Sequence, residues 1–279
     1  MEDFAFSTRG LGPGSQPYDD ETGTIAHLPL PPRTRPYAMH LPEPDMARGC
    51  PEALNLLSRI AAACRAVRSV RGRSFDLRAL PYEDKALMEE TLGTGDVSAR
   101  LEGADALVAQ ETMFAGVWQV ADRASRRIEV GSVPEAIYRR AHEAVVSPDP
   151  ETSERRAPAS AVKAPAIAAE LLDRSGSFRP GDAPHVVKLS RLPQKQGDLE
   201  YLDACFGRGA ATLVSRGDGT HRVEATAMPH LWRVRHFDVA GLQIHDAFEI
   251  SEVPASVRAT PEDLQDSAER IDDVLLALS

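Results

Sequence analysis

The sequence has few cysteines, no long apolar run and no recognisable leader. Its three cysteines, Cys50, Cys64 and Cys205, lie far apart and form no C-x-x-C pair. This spacing argues against a disulfide framework and against a cysteine-based zinc or iron–sulfur site. No apolar stretch approaches the roughly 20 residues that span a bilayer, and the N-terminal residues lack the basic region and apolar core of a secretory signal. We therefore expect a cytoplasmic protein with no membrane insertion, no bound metal and no cofactor.

Basic residues are fewer than acidic ones, with 32 Lys and Arg against 42 Asp and Glu. The formal net charge of −10 disfavours sequence-independent attraction to nucleic acid or to an anionic membrane. Hydrophobic residues make up 42% of the chain and charged residues 27%, which is typical of a globular protein. The 279 residues suffice for one large domain or for two of about 140 residues each.

A glycine-rich stretch, "LGTGDVSARLEG" (Leu92 to Gly103), resembles a phosphate-binding loop but lacks the third glycine of G-x-G-x-x-G. The residues before Gly93 are rich in helix formers, and the residues after Gly95, "DVSARLE", alternate apolar and polar as in a half-buried strand. This order is the reverse of a phosphate cradle. Gly93 is therefore predicted to follow a helix C-terminus, in the left-handed conformation that glycine adopts at little cost.

An internal repeat becomes visible when the chain is shifted by 114 residues against itself. This shift matches Gly93 with Gly207, Gly95 with Gly209 and Trp118 with Trp232, which are both tryptophans of the chain. After a six-residue insertion, Glu129 matches Glu249. The repeat predicts two copies of one folding unit.

The domain organisation follows from this repeat and from the distribution of proline. Nine of the 21 prolines lie within the first 51 residues, and this density predicts an extended arm over residues 1–50. The first repeat is expected over 51–146, a linker over 147–160 and the second repeat over 161–279. We expect an α+β fold with pseudo-twofold symmetry, in which each half is a small antiparallel sheet packed with helices.

The hydrophobic periodicity gives coarse element boundaries. Helices are predicted at about 52–68 and 161–174, at 82–91 and 198–205, and at the ends of both copies (135–146 and 261–279). Strands are clearest in the second copy, at 212–216, 221–227, 231–237 and 243–253. Gly217-Asp218-Gly219 lies between two of these runs and is a strong hairpin signal.

The matched glutamates Glu129 and Glu249 are the best candidates for catalysis. Two carboxylates near a twofold axis can perform acid–base chemistry, so an enzyme with its active site between the repeats is one hypothesis. The alternative is that each glutamate is solvated or pairs with an arginine.

Tryptophan and histidine offer further candidates. Trp118 and Trp232 are candidate partner-binding residues, because tryptophan is enriched at binding hot spots, although packing of a duplicated core is the alternative. His221, His230, His236 and His245 fit no metal-binding spacing, and His221 and His245 are expected to lie near one another.

Several stretches together resemble the hydrogenase expression/formation proteins of the HupH/HyaF family. They are "LGPGSQP" (Leu11 to Pro17), "LGTGDVSA", "ETMFAGVWQV" followed by "IEVGSVP", and the C-terminal "EDLQDSAERI". They occur in order along almost the whole chain. The sequence is identified as a member of that family on this basis.

The resemblance implies a non-enzymatic accessory factor in nickel–iron hydrogenase maturation. It implies a chaperone that holds the precursor of the iron–sulfur small subunit in the cytoplasm before export, with a thioredoxin-like companion and a role in the presence of oxygen. A scaffold for metal-centre assembly on the large subunit is the close alternative. The arm residues Leu11, Gly12, Pro13, Gly14 and Gln16 are predicted contacts with the partner.

Overall fold

The structure, a computed structural model, describes residues 44–67, 72–149, 161–189, 196–217 and 219–279. The helices within these residues are α1 (Pro44–Ala47), α2 (Pro51–Ala66), α3 (Tyr82–Leu92), α4 (Glu135–Arg140), α5 (Ala164–Ser177), α6 (Gln196–Phe206) and α7 (Pro261–Ala277). A 3₁₀ turn covers Ala255–Val257. No helix in these ranges combines the length and apolar character that crossing a membrane requires.

Ten strands of the described residues form one antiparallel sheet. They are β1 (Arg73–Asp76), β2 (Val97–Leu101), β3 (Leu107–Glu111), β4 (Val117–Asp122), β5 (Arg126–Val130), β6 (His185–Lys188), β7 (Ala211–Ser215), β8 (Thr220–Ala225), β9 (Leu231–Phe237) and β10 (Gln243–Ile250). Their spatial order is β1-β5-β4-β3-β2-β7-β8-β9-β10-β6. The α+β class predicted from the sequence is confirmed. The strands of the two halves form one continuous sheet, however, and not two small ones.

The sheet continues from one half to the other through β2 and β7. Ala99 lies opposite Leu213 at the middle of this pair, and the ends pair as Val97 with Ser215 and Leu101 with Ala211. The 114-residue shift that aligns the sequence also maps β2 onto β7. Strands outward from this centre follow in matching order on both sides.

The two faces of the sheet carry different helices. The face that packs under α4 and the 3₁₀ turn, the α4 face, has an apolar core that includes Trp118, Val120, Leu213, Trp232 and Val234. On the opposite face, here called the α3 face, α5 and α6 cover Leu231, Phe248 and Ile250. Side chains alternate between the two faces along a strand, and residues directly opposite one another on neighbouring strands lie on the same face. The face of one residue therefore gives the face of its register partner.

Helix α7 packs along α2, which itself contacts β5 in the first half of the sheet. It begins with a capping box, in which the Thr260 hydroxyl accepts from the Asp263 N–H and the Asp263 carboxylate accepts from the Thr260 N–H. The Ser267 hydroxyl donates to the carbonyl of Ala115 at 2.9 Å, which joins α7 to the corner before β4. The C-terminal helix therefore stabilises residues far away in sequence.

Local periodicity was least informative after α4. A helix over 135–146 was expected, but α4 ends at Arg140. The carbonyl of Ala141 instead accepts hydrogen bonds from the N–H groups of Ala210 and Ala211. Val145 and Val146 both donate to the carbonyl of Arg208. The segment therefore leaves the helix to bond the residues that lead into β7, a tertiary contact that overrides helix propensity.

Candidate functional site

A large open groove lies on the α3 face over the centre of the sheet, and we call it the trough. It encloses about 1020 Å³. Its walls come from the loop before α3, from α3 itself and from the β4–β5 turn. Its sheet floor includes Ser98, Arg100, Val108, Gln110, Gln119, Thr212, Val214 and Arg222.

The floor follows two rows of register partners across the middle of the sheet. Gln119 lies opposite Gln110, Gln110 opposite Ser98, and Ser98 opposite Val214. In the second row, Arg100 lies between Val108 and Thr212. Val108 is 51% exposed, which is unusual for a valine in the interior of a sheet. This central part of the face is therefore open to solvent.

The corner at Gly93 fixes the wall beside the floor. Gly93 follows α3 with a φ of 53°, as predicted for a glycine after a helix C-terminus. A Cβ on Gly95 would lie 2.2 Å from the carbonyl oxygen of Thr112, so the chain approaches β3 closely here. The Gln110 amide donates to the carbonyls of Gly95 and Val97, both at 3.0 Å. The "LGTG" stretch therefore positions α3 against the sheet.

The trough is basic although the chain is acidic. Seven basic and three acidic residues line it: Arg78, Lys85, Arg100, Arg123, Arg126, Arg127 and Arg222, with Glu89, Glu102 and Asp122. Asp122 and Arg127 pair with each other at 2.6 Å, and their register partners Leu107 and Val120 place both side chains on the α4 face. Glu102 pairs with Arg208 at 3.0 Å. Without the Asp122–Arg127 pair, the lining has six basic and two acidic residues, which is an excess of positive charge. Arg78, Arg126 and Arg222 among the basic residues are bound to carboxylates.

Two of the basic residues in the lining are both exposed and unpaired among the described residues. Arg100 and Arg123 are both exposed, and neither forms an ion pair within the described ranges. Arg78, in contrast, is bound to Asp76 at 2.6 Å. Arg100 and Arg123 are thus available to an anionic ligand, next to the apolar side chains of Val108 and Val214 on the floor.

The matching positions in the second half are filled by ion pairs. Gln110 and Gln119 correspond to Glu224 and Arg233. Glu224 binds Arg222 at 2.9 Å and also binds Arg235. Arg233 binds Asp246 and Asp203, each at 3.0 Å. The open cavity therefore occupies the first half and the centre of the sheet, whereas charges on the second half satisfy one another.

The proposed carboxylate pair is not brought together. Glu129 on β5 and Glu249 on β10 are separated by seven strand-to-strand steps, about 34 Å at about 4.8 Å per step. The Glu129 carboxylate accepts from the Arg127 guanidinium at 2.7 Å and from the Glu135 N–H at 2.9 Å. Glu249 accepts from the Ser251 hydroxyl at 2.8 Å, and burial raises its pKa. The hypothesis of a shared active site between the repeats is therefore wrong, because the repeats join through β2 and β7.

Both tryptophans are packed inside the protein. Trp118 is 0% exposed and Trp232 is 1% exposed, and both belong to the core of the α4 face. Each indole N–H donates to a carbonyl at a matched position, Trp118 to Gly131 at 3.0 Å and Trp232 to Ser251 at 3.1 Å. In this structure the rings pack the core, and their part in partner binding stays a prediction. The predicted arm contacts Leu11, Gly12, Pro13, Gly14 and Gln16 lie outside the described residues.

Histidine side chains meet at two places in the structure. His236 lies directly between His221 and His245 on neighbouring strands, which brings these two near one another as expected. The rings of His221 and His236 stack at 3.9 Å. His142 and His230 lie elsewhere, with 6.2 Å between ring centroids, and burial lowers the pKa of His142 to about 4. Among the described residues, no group of three or more His, Cys, Asp or Glu side chains has a geometry that could hold a metal ion.

Sequence reasoning did not single out the trough or the arginines Arg100 and Arg123. The run "DVSARLE" was predicted to be a half-buried strand, and the strand is found at Val97–Leu101. Its alternation places Arg100 on the opposite face from Ala99 and Leu101. The signal that was missed is an arginine on a central strand facing the exposed Val108. Which part of a sheet face the helices leave open depends on tertiary packing, so no local pattern contains it.

Comparisons with known proteins cover nearly all of the chain. The model for "HupH hydrogenase expression protein, C-terminal conserved region" matches residues 51–148 and 161–278. The chain is 41% identical to the hydrogenase expression/formation protein HupH of Rhodobacter capsulatus, over 100% of this chain and 99% of that protein. It is 37% identical to HoxQ of Cupriavidus necator, over 99% and 98%. It is 30% identical to the hydrogenase-1 operon protein HyaF of Escherichia coli, over 95% and 94%.

Proposed function

Because the chain belongs to the HupH/HyaF family of hydrogenase expression/formation proteins, we propose that it is a non-enzymatic chaperone in nickel–iron hydrogenase maturation. Its client in this proposal is the precursor of the iron–sulfur small subunit, which it binds in the cytoplasm before export. The family makes the chain an accessory protein of hydrogenase expression and formation. The identity of the client and the absence of catalysis are the proposal.

The trough is the structural feature that supports client binding in addition to family membership. A chaperone requires an open surface with both apolar and charged groups, since unfolded or incomplete clients expose both. The trough offers Val108 and Val214 beside Arg100 and Arg123 on one continuous floor and wall. We assign client binding to this surface. The arm residues Leu11 to Gln16 are proposed as an additional contact.

The main alternative is a scaffold for metal-centre assembly on the large subunit. Such a scaffold has to hold metal or its ligands transiently, which calls for a cluster of metal-binding side chains. The three cysteines are separate buried thiols, and burial raises the pKa of Cys64 to about 12. A thiol with this pKa is a poor metal ligand near neutral pH. These observations favour the chaperone proposal.

A pull-down from cells that express the whole hydrogenase operon tests the proposal. The tagged chain is purified from aerobic and anaerobic cultures, and bound proteins are identified by mass spectrometry. We expect the unprocessed small subunit, together with a thioredoxin-like companion, and more of both in air. Recovery of the large subunit alone would favour the scaffold, and recovery of neither subunit would overturn both proposals.

We also propose that the two halves arose by internal duplication and are related by a pseudo-twofold axis through the β2–β7 pair. The strand order supports this proposal, because matched strands lie at equal distances from the centre. So does the register, in which Ala99 faces its own counterpart Leu213. The family model also matches one stretch in each half. Separate expression of 51–146 and 161–279, followed by a test for mutual association, examines whether each half is a folding unit.

A further inference from the structure

We propose that the trough binds an acidic segment of the client protein that also carries apolar side chains. This inference rests on the proposed function, since it names the chemistry of the ligand at the same surface. It excludes the other surfaces of the chain as the main docking site. It also predicts which clients are rejected, namely those whose exposed segments are basic.

Charge is the first argument. The whole chain has a net charge of −10, so a typical surface on it repels an acidic partner. Without the Asp122–Arg127 pair, the trough is lined by six basic and two acidic residues, and it reverses this tendency locally. Of these acidic residues, Glu102 pairs with Arg208 at 3.0 Å. An acidic segment is thus attracted to the trough and repelled by much of the remaining surface, which gives selectivity for this site.

The state of the individual cations is the second argument. Arg100 is exposed on β2, and Arg123 is exposed in the turn between β4 and β5. Since neither is engaged in an ion pair within the described part of the chain, a carboxylate can bind either one without breaking an existing pair. Arginine binds carboxylates through two parallel N–H donors, which orients the bound group. These two residues are therefore expected to contribute most to binding.

The shape and polarity of the floor are the third argument. Val108 is half exposed and Val214 lies on the neighbouring row, so the floor buries apolar side chains of a ligand as well as carboxylates. The lining runs from β5 to β8 across five strand-to-strand steps. This distance is about 24 Å, which about seven extended residues span. A peptide segment fits these dimensions, whereas a single small anion contacts only part of the lining.

In the second half of the same face, a carboxylate of the chain itself binds neighbouring arginines. There Glu224 lies between Arg222 and Arg235 and binds both. Its counterpart in the first half is Gln110, which carries no charge and uses its amide on backbone carbonyls. The counterparts of Arg222 and Arg235 are Val108 and Ala121, so the first half lacks both this carboxylate and the arginines that it binds. The first-half cations Arg100 and Arg123 lie at other positions, where the second half has Val214 and Phe237. An acidic ligand supplies carboxylates to Arg100 and Arg123 from outside.

Fluorescence anisotropy with synthetic peptides tests the proposal on the full chain. The probe is a fluorescein-labelled peptide of about 12 residues, in which aspartate and glutamate alternate with leucine, serine and glycine. Two matched peptides replace the acidic residues with glutamine or with lysine. We expect binding of the acidic peptide alone, with an affinity that falls as the salt concentration rises.

Charge reversal locates the site. Arg100→Glu combined with Arg123→Glu breaks no ion pair among the residues that the structure describes, and we expect it to weaken binding of the acidic peptide by about tenfold or more. The control is Arg174→Glu combined with Lys188→Glu, which makes the same charge change on exposed residues of α5 and β6. We expect little change from the control, and circular dichroism verifies that both double variants fold.

Each outcome decides the question. Equal binding of the three peptides, no binding of the acidic peptide, or equal effects of the two double variants would overturn the acidic-segment proposal. Failure here together with capture of the small-subunit precursor in the pull-down leaves the chaperone function standing and removes only the trough chemistry. Peptide binding without precursor capture has the opposite meaning: the trough recognises acidic segments, but its client is another protein.

Discussion

The two halves of the sheet have matching strands and different surfaces. Inside, Trp118 and Trp232 occupy equivalent core positions and make equivalent hydrogen bonds. On the α3 face, the first half opens into the trough, while the second half is covered by paired charges around Glu224 and Arg233. At the corner before the fourth strand of each half, Gly116 corresponds to His230. Repetition is therefore strongest where the fold requires it, and the differences are concentrated on the surface.

This comparison separates residues that maintain the sheet from residues free to specialise. Core residues at matched positions meet the same packing requirement, as the equivalent burial and hydrogen bonds of Trp118 and Trp232 show. Surface residues are free of this requirement, so the two halves can carry different side chains at matched surface positions. Substitutions at matched positions test how far the two halves are equivalent.

The largest effect is expected from the tryptophans. Trp118→Ala and Trp232→Ala each remove a fully buried ring, and we expect each to lower the free energy of unfolding by about 3–5 kcal/mol. The chain has two tryptophans, one in each half, so each variant retains one fluorescent reporter in the unaltered half. Urea unfolding is followed by that fluorescence and by circular dichroism together.

If the continuous sheet unfolds as one unit, the remaining tryptophan reports the same lowered midpoint as circular dichroism. A fluorescence midpoint that stays at the wild-type value would contradict this and show that the halves unfold independently. Tyr82→Ala is the control, because Tyr82 is 83% exposed and its loss is expected to cost less than about 0.5 kcal/mol.

Glu111 is expected to make the free energy of unfolding depend on pH. It lies opposite Trp118, whereas its counterpart in the second half, opposite Trp232, is Ala225. Burial raises the pKa of Glu111 from 4.5 to about 7, and Asp263 and Asp96 add to this, while a hydrogen bond from the Gly116 N–H opposes it. The folded state therefore holds a proton that the unfolded state releases. The free energy of unfolding falls as the pH rises from about 4.5 to about 7, and above that the contribution is lost.

Glu111→Gln removes this titration while retaining an oxygen for the Gly116 N–H. We expect the wild type to lose up to roughly 3 kcal/mol relative to this variant between pH 4.5 and pH 8. The measurement is the free energy of unfolding of both proteins at several pH values in that range. Parallel profiles for the two proteins would show that the folded-state pKa of Glu111 is close to its unfolded value.

Gly116 is expected to be the next most sensitive position. Its φ is 77°, and a Cβ placed there would lie 2.5 Å from Cδ2 of Leu264 on α7. Gly116→Ala thus combines backbone strain with a clash, and we expect it to lower the free energy of unfolding by about 1–3 kcal/mol. Gly103→Ala has a similar positive φ but no atom within 4 Å of its Cβ, so it isolates the backbone cost. Equal losses of unfolding free energy from the two substitutions would show that Leu264 on α7 moves away from the new methyl group with no further loss of stability.

Features that depend on neighbouring residues in the chain were predictable from the sequence, whereas features that depend on contacts between distant residues were not. Strand β9 was predicted at 231–237 and is found at Leu231–Phe237, because its alternation and turns are local signals. The Gly93 corner was also predicted, since only glycine adopts its backbone conformation cheaply. The pairing of β2 with β7 was not predicted. It depends on two strand edges nearly 115 residues apart in sequence meeting in space, for which the local pattern has no signal.

The candidate site was also poorly predicted, because it depends on contacts between distant residues. Glu129 and Glu249 were selected because they match in the repeat, yet matching residues lie at mirrored distances from the β2–β7 centre and those on outer strands are far apart. The arginines of the trough do not match, since Arg100 corresponds to Val214. A search for shared residues therefore finds the core and overlooks the surface on which the halves differ.

The smallest effect is expected at His230, the counterpart of Gly116. Its φ of 60° makes it the one non-glycine residue with positive φ among those the structure describes. His230→Gly relieves a strain of about 1–2 kcal/mol, but it also makes the unfolded chain more flexible, which costs about 0.4–1 kcal/mol. The ring is lost from its contact with Phe178 at 4.9 Å as well. We expect these terms to nearly cancel, leaving a change within about 1 kcal/mol in the free energy of unfolding measured in urea.

His230→Ala is the matched control, because it keeps the strained φ while removing the same ring. We expect it to be less stable than His230→Gly by about 1 kcal/mol, the part of the strain that glycine relieves. A loss above about 2 kcal/mol in both variants would instead mean that the imidazole, with Phe178 and His142, holds this corner together. In that case the second half has replaced the glycine of the first half by a side-chain contact of its own, and the corners are built differently although the strands around them match.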